Sequence, residues 1–543
     1  MTLPAKKKTE SCPKSLPARF ILKAFIVCLS FANLSFLNLW ADLLDTHSGV
    51  CRKYLVTWRQ LAALTLDVLL LTVVVWIVVL LVVKSGNRVW MRILKWSAFV
   101  GLMYPLNILR ISAEVPSLQS LPAVQALPVR ILLGALGVTA GLWLLWKWER
   151  LSTKVTSVIL VILSPTLPLA VASVAWSIYT GPSAGRVPDN PPESALPQKA
   201  GAPHVLWFLF DEWDESLTYR HRPVNLKLPE LDRFRDQSFH AERAFPSSHE
   251  TVVSIPSLLV GKTFIDKYFN SAGELLMIYD PQQPPRRLSA EPSVFSEARG
   301  AGFNAGIVGF YLPYCRLFGA TYCEWNCAIG FLPEEWEYPV SVGRQMALMA
   351  QRQVGHLPFA GRLGIARAFG TTLKPSLHAI TYRQTHQAAL RAIVDSRLNL
   401  VFVHWNVPHL PAIYDAAKDR FSNDLARTYL DNLRLVDRTV RDIRLTLEGA
   451  GLWESSTILM TADHPFRIGR GPRWVGLPPS AGNVTQASEV PFLLKMAGQK
   501  QGLAYNAPMQ TVVTKDLLLA IMKGEITQPE QVAVWLDHHP PRR

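Results

Sequence analysis

Long apolar stretches dominate the first third of the chain. A helix needs about 20 predominantly apolar residues to cross the hydrocarbon core of a bilayer, and five stretches approach that length. The second stretch is apolar around its whole helical circumference, which is typical of a membrane span and not of a soluble core helix. The pattern therefore predicts about five transmembrane helices, at residues 20–40, 64–83, 93–111, 131–146 and 155–179.

The hydrophobic pattern changes after residue 203. Short, nearly continuous apolar runs now alternate with polar helical patterns, which predicts a mostly parallel sheet between helices. The intervening stretch, residues 181–203, is rich in Pro, Gly, Ser and Ala, as in a linker. We therefore predict a transmembrane helical domain at residues 1–180, a linker at 181–203 and one α/β catalytic domain at 204–543. The apolar runs are VLWFLF from Val205, AGIVGF from Ala305, LVFVHW from Leu400 and STILMTA from Ser456.

The basic residues are concentrated in the first third of the chain. Of the net charge of +15, the first 184 residues contribute 18 Lys or Arg against 6 Asp or Glu. Twelve basic residues precede the first predicted span or follow the second and fourth, against five in the alternate loops. Because short basic loops stay cytoplasmic, this predicts a multi-pass protein of the cytoplasmic (inner) membrane with its catalytic domain on the periplasmic or extracellular side. A cleaved signal peptide is the alternative for the first span.

The charge distribution also bears on partners. Nucleic-acid binders concentrate positive charge on a soluble face, whereas here it flanks apolar spans, so we expect a lipid bilayer and no nucleic acid as partner. Four cysteines would face an oxidising compartment, where disulfides persist. Four cysteines allow three pairings, and the sequence does not choose among them. They are Cys51, Cys315, Cys323 and Cys327.

Acidic residues and histidines lie where three of the predicted strands end. Because the carboxyl ends of parallel strands meet at one edge of a sheet, we expect these side chains to lie close together. Carboxylate and imidazole ligands together suit zinc or manganese. The alternatives are a helix-capping carboxylate at Asp211 and Glu212, a structural pair at Asp463 and His464, and a packed core histidine at His404. The candidates are Asp211 and Glu212 after the first run, His404 and His409 in and after the third, and Asp463 and His464 after the fourth.

A candidate nucleophile lies in the segment FPSSHETVVSIPSLLVGK, which begins at Phe245. Thr251 stands just before an apolar stretch that carries Pro256 near its start, so its hydroxyl is predicted near a helix N-terminus, where negative charge is favoured. A bound metal would also lower the pKa of this hydroxyl. Ser247 and Ser248 are alternative nucleophiles, and a simple N-cap is the alternative role for Thr251.

These motifs occur in a recognisable order. An apolar strand ending in Asp, then T-x-x-S-x-P-S-L-L-x-G, then P-H-x-P and finally T-A-D-H resembles the alkaline phosphatase and sulfatase superfamily over residues 203–499. With five spans, the layout is similar to that of lipoteichoic acid synthases and lipid A phosphoethanolamine transferases. The segments VLWFLFDEWDE, GFYLPYC and EVPFLLKMAGQ look like membrane-bound sulfatase-like proteins of bacteria.

The resemblance implies a role for each matching position. Asp211 would be the first metal ligand, Thr251 both nucleophile and ligand, and Asp463 and His464 would complete the metal sphere. His409 would lie near the phosphate or sulfate of the substrate. The implied cofactor is one divalent metal, zinc or manganese, with magnesium or calcium as alternatives.

Two departures narrow these expectations. Formylglycine sulfatases carry C-x-P-x-R or S-x-P-x-R, whereas this chain has Thr251 at the nucleophile position, and threonine cannot form the aldehyde hydrate. Gly-Glu does not follow the Asp-His pair, and no histidine lies between His464 and His538, so we expect a single metal.

Three arginines beside the Asp-His pair could bind an anionic group of the substrate. They are Arg467, Arg470 and Arg473.

The sequence therefore predicts a membrane-anchored, metal-dependent transferase or hydrolase. It would act on phosphate or sulfate esters of anionic lipid-linked or envelope substrates through a threonine nucleophile. One alternative is a sulfuric ester hydrolase that works without formylglycine. Another is a degenerate family member that serves as an envelope sensor or scaffold, because the downstream Gly-Glu and histidine are missing.

Overall fold

The computed structural model describes residues 16–44, 58–97, 189–198, 201–269, 274–326, 341–356, 374–422, 427–467 and 488–539, with isolated positions between 101 and 175. Two compact units are present. The first comprises Met1–Asp45, Val56–Gly185 and Pro339–Thr371, and the second comprises Thr46–Leu55, Arg186–Tyr338 and Thr372–Arg543. The domain boundaries drawn from the sequence at residues 180 and 203 stay a prediction.

The helices and strands are numbered in chain order. The helices are α1 (Ala18–Ser35), α2 (Leu37–Leu44), α3 (Trp58–Ser85), α4 (Pro229–Asp236), α5 (Thr251–Val260), α6 (Val294–Gly300), α7 (Tyr314–Leu317), α8 (Val342–His356), α9 (Lys374–Ala392), α10 (Tyr429–Gly449), α11 (Thr514–Met522) and α12 (Pro529–His538). The strands are β1 (His204–Asp211), β2 (Phe239–Ala241), β3 (Ala244–Phe245), β4 (Asp266–Phe269), β5 (Leu275–Ile278), β6 (Arg286–Arg287), β7 (Ala305–Phe310), β8 (Tyr322–Asn326), β9 (Leu400–Pro408), β10 (Tyr414–Asp415), β11 (Arg420–Phe421), β12 (Ser456–Ala462), β13 (Phe492–Lys495), β14 (Leu503–Tyr505) and β15 (Met509–Gln510).

Two of the described helices, α1 and α3, are long and apolar enough to cross a membrane. They have 18 and 28 residues, and length and composition alone carry this finding, since a signal sequence or a core helix can meet the same criteria. Helix α3 contains the second predicted span. The first predicted span is longer than α1, because the helix is interrupted after Ser35, whose hydroxyl donates to the Phe31 carbonyl oxygen. The third, fourth and fifth predicted spans lie largely outside the described residues.

The N-terminal helices of the first unit pack on one another and on a helix from much later in the chain. The Trp76 indole on α3 donates to the carbonyl oxygen of Ile21 on α1 at 3.1 Å. The later helix is α8, which packs against α3. Its Gln353 side-chain amide donates to the Asn38 side-chain oxygen on α2 at 2.8 Å. The chain therefore returns to the N-terminal helices between β8 and α9.

The second unit is built on an eight-stranded sheet in the order β14-β2-β13-β12-β1-β9-β7-β8. Pairing is parallel from β12 through β1, β9, β7 and β8, and β13 runs antiparallel to its neighbours β12 and β2. This confirms the predicted α/β domain with a mostly parallel sheet. The register sets Phe210 opposite both Ala462 and Trp405, so the ends of three strands meet at one edge.

The centre of the sheet is apolar on both faces. Every residue of β9 and β12 is buried, which explains why these strands read as continuous apolar runs. On one face Trp207 packs edge-on against Phe402 at 5.2 Å, and on the other Phe210 stacks on Trp405 at 5.0 Å. Each such aromatic pair contributes about 0.5–1.5 kcal/mol beyond burial of its area.

Local sequence sets the ends of the surrounding helices. Helix α10 begins with a capping box in which Thr428 and Asp431 satisfy each other's backbone N–H groups. Its Leu433, Val436 and Val440, spaced by three and four residues, are buried. Helix α5 ends at Gly261, which has a φ of 70°, a left-handed conformation that glycine adopts without a steric penalty.

The structure selects one of the three disulfide pairings that the sequence allows. Cys315, in α7, is bonded to Cys323, in β8. The other two predicted partners, Cys51 and Cys327, lie outside the described residues. The two cysteines are eight positions apart, so the bond ties α7 to the edge strand β8.

Candidate functional site

The candidate metal ligands meet at the carboxyl edge of the sheet. Strand β1 ends at Asp211, and β12 ends one residue before Asp463. Because these strands pair in parallel with Phe210 opposite Ala462, the two carboxylates are neighbours. The backbone N–H of Glu212 donates to Asp463 Oδ1 at 3.1 Å, and this hydrogen bond links the two strand ends.

Asp211, Asp463 and His464 form a buried group of three, in which one ligand atom from each residue lies within 4.8 Å of the others. We call these residues the inner group. His464 Nε2 lies 3.8 Å from Asp211 Oδ1 and 3.4 Å from Asp463 Oδ2. His464 Nδ1 lies 3.0 Å from the Pro465 carbonyl oxygen, which can only accept, so Nδ1 carries a hydrogen and the neutral ring turns its Nε2 lone pair toward the carboxylates.

Thr251 lies against this group. It is the first residue of α5, follows the extended Glu250, and is buried. Thr251 Oγ1 lies 3.2 Å from His464 Nε2. The Ser254 hydroxyl, one turn later, donates to the Asp463 carbonyl oxygen at 2.6 Å and holds the start of α5 against the end of β12. The helix N-terminus is where the sequence predicts it, although Pro256 lies beyond the first turn that the prediction assumed.

The electrostatics of Asp463 follow from its neighbours. Burial acts to raise its pKa, but hydrogen bonds from the Glu212 backbone N–H and the Thr251 hydroxyl favour the charged form and hold that pKa below its ordinary value. The carboxylate is therefore charged inside the protein. A buried anion facing an imidazole lone pair and a hydroxyl oxygen makes a donor set for a cation.

Glu212 has a strained backbone and a fully buried side chain. Its φ is 63°, in the left-handed region that costs a non-glycine residue roughly 1–2 kcal/mol. The hydroxyl of Tyr429 donates to the Glu212 carbonyl oxygen at 2.6 Å and accepts from the Asp214 N–H at 3.1 Å. These bonds hold the turn that directs the Glu212 carboxylate toward the opening of the site.

His409 and Arg467 lie at this opening, and we call them the outer group. Their side chains are 24% and 42% exposed, whereas the side chains of the inner group are at most 6% exposed. His409 Nε2 lies 3.8 Å and Arg467 Nε lies 3.6 Å from Glu212 Oε1. Arg467 Nη2 donates to His464 Nε2 at 2.7 Å. Arg470 and Arg473 lie outside the described residues.

Besides Thr251, Glu212 and the outer group, three sequence candidates lie outside the inner group: His404, Ser247 and Ser248. His404 is fully buried, its Nδ1 lies 2.8 Å from the Tyr314 hydroxyl, and burial lowers its pKa to about 4. It is therefore a neutral core residue. The Ser248 hydroxyl accepts the Glu250 N–H in a local turn, and the buried Ser247 hydroxyl makes no hydrogen bond to the inner group.

Asp214 supports the site and was missed by the sequence analysis. Burial raises its pKa to about 6, and its carboxylate accepts the backbone N–H groups of Leu217 at 2.8 Å and Phe466 at 3.3 Å. It thereby ties the loop after β1 to the loop after β12. Its proximity to Asp211 in the sequence DEWD is the signal that could have identified it.

This chain is similar to a family model and to several solved structures. The Sulfatase family model matches residues 203–523. Similar solved structures include the sulfatase PsFucS1 from Pseudoalteromonas sp., with 14% identity over 60% of this chain and 69% of that one and a TM-score of 0.39. The phosphonate monoester hydrolase of Agrobacterium radiobacter has 14% identity over 59% and 74% and a TM-score of 0.37. A Vibrio parahaemolyticus protein of the alkaline phosphatase superfamily has 10% identity over 60% and 68% and a TM-score of 0.36.

A comparison with curated proteins found no match. The family match therefore stands on the sequence model, which covers more than half of the chain and includes both the inner and the outer group. This chain belongs to the Sulfatase family.

Proposed function

We propose that this protein is a membrane-anchored, metal-dependent hydrolase or transferase that uses Thr251 as its nucleophile. The supporting observation is the 3.2 Å separation between Thr251 Oγ1 and His464 Nε2, at the point where the carboxylates of Asp211 and Asp463 converge. A hydroxyl at a helix N-terminus beside a cation-binding donor set is the arrangement that an activated oxygen nucleophile requires.

The residues at this point fit one divalent cation. Asp211, Thr251, Asp463 and His464 would hold it, because three of them already place ligand atoms within 4.8 Å of one another. The mixture of oxygen and imidazole ligands suits zinc or manganese, with magnesium and calcium as alternatives. When bound, such an ion lowers the pKa of a coordinated hydroxyl and offsets negative charge that develops on the ester.

The chain's own residues then account for the group transfer. Thr251 Oγ1 loses its proton to solvent and forms a bond to phosphorus, while the bond from phosphorus to the ester oxygen breaks and that oxygen takes up a proton. His409 and Arg467 donate hydrogen bonds to the non-bridging oxygens. Water or an acceptor hydroxyl next displaces Thr251 Oγ1, giving hydrolysis or transfer and restoring the threonine.

The residue at the nucleophile position favours phosphate over sulfate esters. Threonine cannot be converted to formylglycine, so sulfate hydrolysis by the aldehyde route is not open to this chain. The Sulfatase family match keeps direct hydrolysis of a sulfuric ester as the second candidate function. In that reaction Thr251 would form a bond to sulfur instead of phosphorus.

The N-terminal helices support a site of action at the inner membrane. Helices α1 and α3 are long and apolar enough to span it, and the predicted orientation places the catalytic domain outside the cytoplasm. We infer an anionic, lipid-linked or envelope substrate. Retention of the full chain in membranes washed at alkaline pH tests the anchoring, and release into the supernatant would contradict it.

The decisive test compares two hydroxyl deletions in the full chain purified in detergent. Thr251→Ala should lower the turnover of bis-p-nitrophenyl phosphate by at least about 10³-fold, because the nucleophile is gone. Ser248→Ala, three residues earlier, should leave turnover unchanged. Mass spectrometry after exposure to membrane lipids should detect a phosphorus-containing adduct on Thr251. Equal turnover in wild type and Thr251→Ala would overturn the mechanism.

The same preparation separates the candidate functions. Turnover of p-nitrophenyl sulfate alone, again lost in Thr251→Ala, would favour the sulfuric ester hydrolase. A wild-type protein that binds no divalent metal and turns over neither ester would support the envelope sensor or scaffold instead.

A further inference from the structure

The backbone on both sides of His409 is held by hydrogen bonds. Its N–H donates to the carbonyl oxygen of Asp211 at 3.0 Å. Its carbonyl oxygen lies 3.1 Å from His378 Nε2 and 3.1 Å from the Asn432 side-chain amide nitrogen. The N–H of His409 is thus bonded to a residue of the inner group. Its carbonyl oxygen is bonded to two side chains that are distant in the sequence.

Helices α9 and α10 supply these two side chains. His378 is in the second turn of α9, and its own carbonyl oxygen accepts the Asn406 side-chain amide of β9 at 2.8 Å. Asn432, in the first turn of α10, is fully buried. Its amide also donates to the Pro408 carbonyl oxygen at 3.3 Å, and its oxygen accepts the Ile413 N–H at 2.9 Å. The residues around His409 are therefore held by side chains from two helices.

The chemistry of His378 allows one role in this arrangement. A carbonyl oxygen only accepts, so Nε2 of His378 must carry the hydrogen. Burial, with a smaller effect from the nearby His409, lowers the pKa of His378 to about 3, so its ring stays neutral at physiological pH. The ring is buried and 6.1 Å from that of His409, centroid to centroid, and it does not reach the inner group. A buried donor of this kind costs free energy unless it is bonded, and its bond is to His409.

We infer that His378 and Asn432 are positioning residues that fix the backbone of His409 and thereby hold its imidazole at the opening of the site. This inference rests on the proposed function, in which His409 donates to the non-bridging oxygens of the ester. The imidazole of His409 stands 3.8 Å from Glu212 Oε1, and a rotation of the clamped peptide would move it out of reach of that carboxylate. A displacement of about 1 Å at such a group can lower turnover by about 10²-fold.

The test removes the donor and keeps the ring. His378→Phe should lower kcat for bis-p-nitrophenyl phosphate by about 10- to 100-fold, with KM and metal content close to wild type. His378→Gln, which keeps an N–H donor, should recover part of the loss. The matched control is His386→Phe on the same helix, where the ring stacks on Tyr382 at 5.3 Å. This control should keep the wild-type kcat.

A second variant tests the same inference if His378→Phe does not fold. Asn432→Asp removes the amide donor but keeps the oxygen that accepts the Ile413 N–H, and it should lower kcat in the same range. Combined with His409→Ala, neither change should lower kcat further, because residues that act through His409 have no effect once its imidazole is absent. Additive losses, or a wild-type kcat in folded His378→Phe or Asn432→Asp, would refute the inference.

The outcomes also separate this inference from the proposed function. If Thr251→Ala keeps full turnover, the proposed function fails. If Thr251→Ala abolishes turnover and His409→Ala lowers it, but His378→Phe and Asn432→Asp do not, only the positioning role fails.

Discussion

The inner group and the outer group of the site are built in different ways. Asp211 ends β1, and Asp463 and His464 follow the adjacent parallel strand β12; all three are buried and are fixed by the register of the sheet. His409 and Arg467 lie on loops, are partly exposed, and depend on hydrogen bonds from other elements. In the proposed function, this difference separates cation binding, which depends on the sheet, from recognition of the ester, which depends on the loops. Changes to the two groups should therefore have separable effects.

The largest effect should come from the inner group. Asp463→Asn keeps an oxygen that can accept the N–H groups of Glu212 and His464 but removes the charge that faces Nε2. We expect loss of the bound divalent metal and a fall in turnover of at least about 10³-fold. Metal analysis of the full chain measures the loss of metal, and an ester hydrolysis assay measures the fall in turnover. Asp395→Asn, at an exposed ion pair with Arg397, is the control. Full metal content in Asp463→Asn would remove Asp463 from the ligand set.

A smaller effect, with a different signature, should come from His409. His409→Ala should lower kcat by about 10²-fold and leave the metal content unchanged, because in the proposed mechanism the imidazole contacts the ester and not the inner group. Parallel measurement of metal content and turnover decides this. Loss of metal in His409→Ala would show that His409 also supports metal binding, and it would contradict the separation of the inner group from the outer group.

Arg467 should affect binding more than turnover. Its side chain is 42% exposed, and its guanidinium faces both His464 and Glu212. Arg467→Ala should therefore raise KM for an anionic ester by about 10-fold, and added salt should weaken wild-type binding more than binding by the variant. Arg467→Lys should recover little of this, because a lysine lacks the two-pronged donor geometry. Arg397→Ala is the matched control on the surface. An unchanged KM in Arg467→Ala would exclude the clamp.

The smallest effect should come from the opposite end of β1, where a change alters stability alone. Burial lowers the pKa of His204 to about 4, below its unfolded value of 6.5. The unfolded chain therefore binds more protons between those pH values, and the stability contributed by neutral His204 is lost as pH falls through this window. At pH 5 the loss is on the order of 1–2 kcal/mol. His204→Gln should show a flatter dependence of unfolding temperature on pH, with metal content and turnover unchanged. An identical pH profile would contradict this role.

The inner group could be predicted from the sequence because its members lie at the ends of apolar strands. Strand ends and the order of the motifs indicated Asp211, Thr251, Asp463 and His464, and the structure brings these residues together. The mostly parallel sheet was equally accessible, because buried parallel strands produce continuous apolar runs. Each strand and each motif is a pattern of a few consecutive residues, and only the order of the motifs extends along the chain.

The supports of the outer group could not be predicted from the sequence. The left-handed backbone of Glu212 depends on a hydroxyl from Tyr429, more than 200 residues away. His378 and Asn432 carry no local motif, and only the packing of α9 and α10 places them beside His409. Long-range contacts of this kind are specified by the whole fold.

Helix α8 lies late in the chain but belongs to the first unit, which affects how a soluble form of the protein can be made. Gln345, Leu348 and Met349 form a buried stripe on α8, which packs against α3. A recombinant protein that starts at residue 204 would expose this stripe to water, and we expect it to aggregate. Deleting residues 339–371 together with the N-terminal helices would remove both surfaces at once.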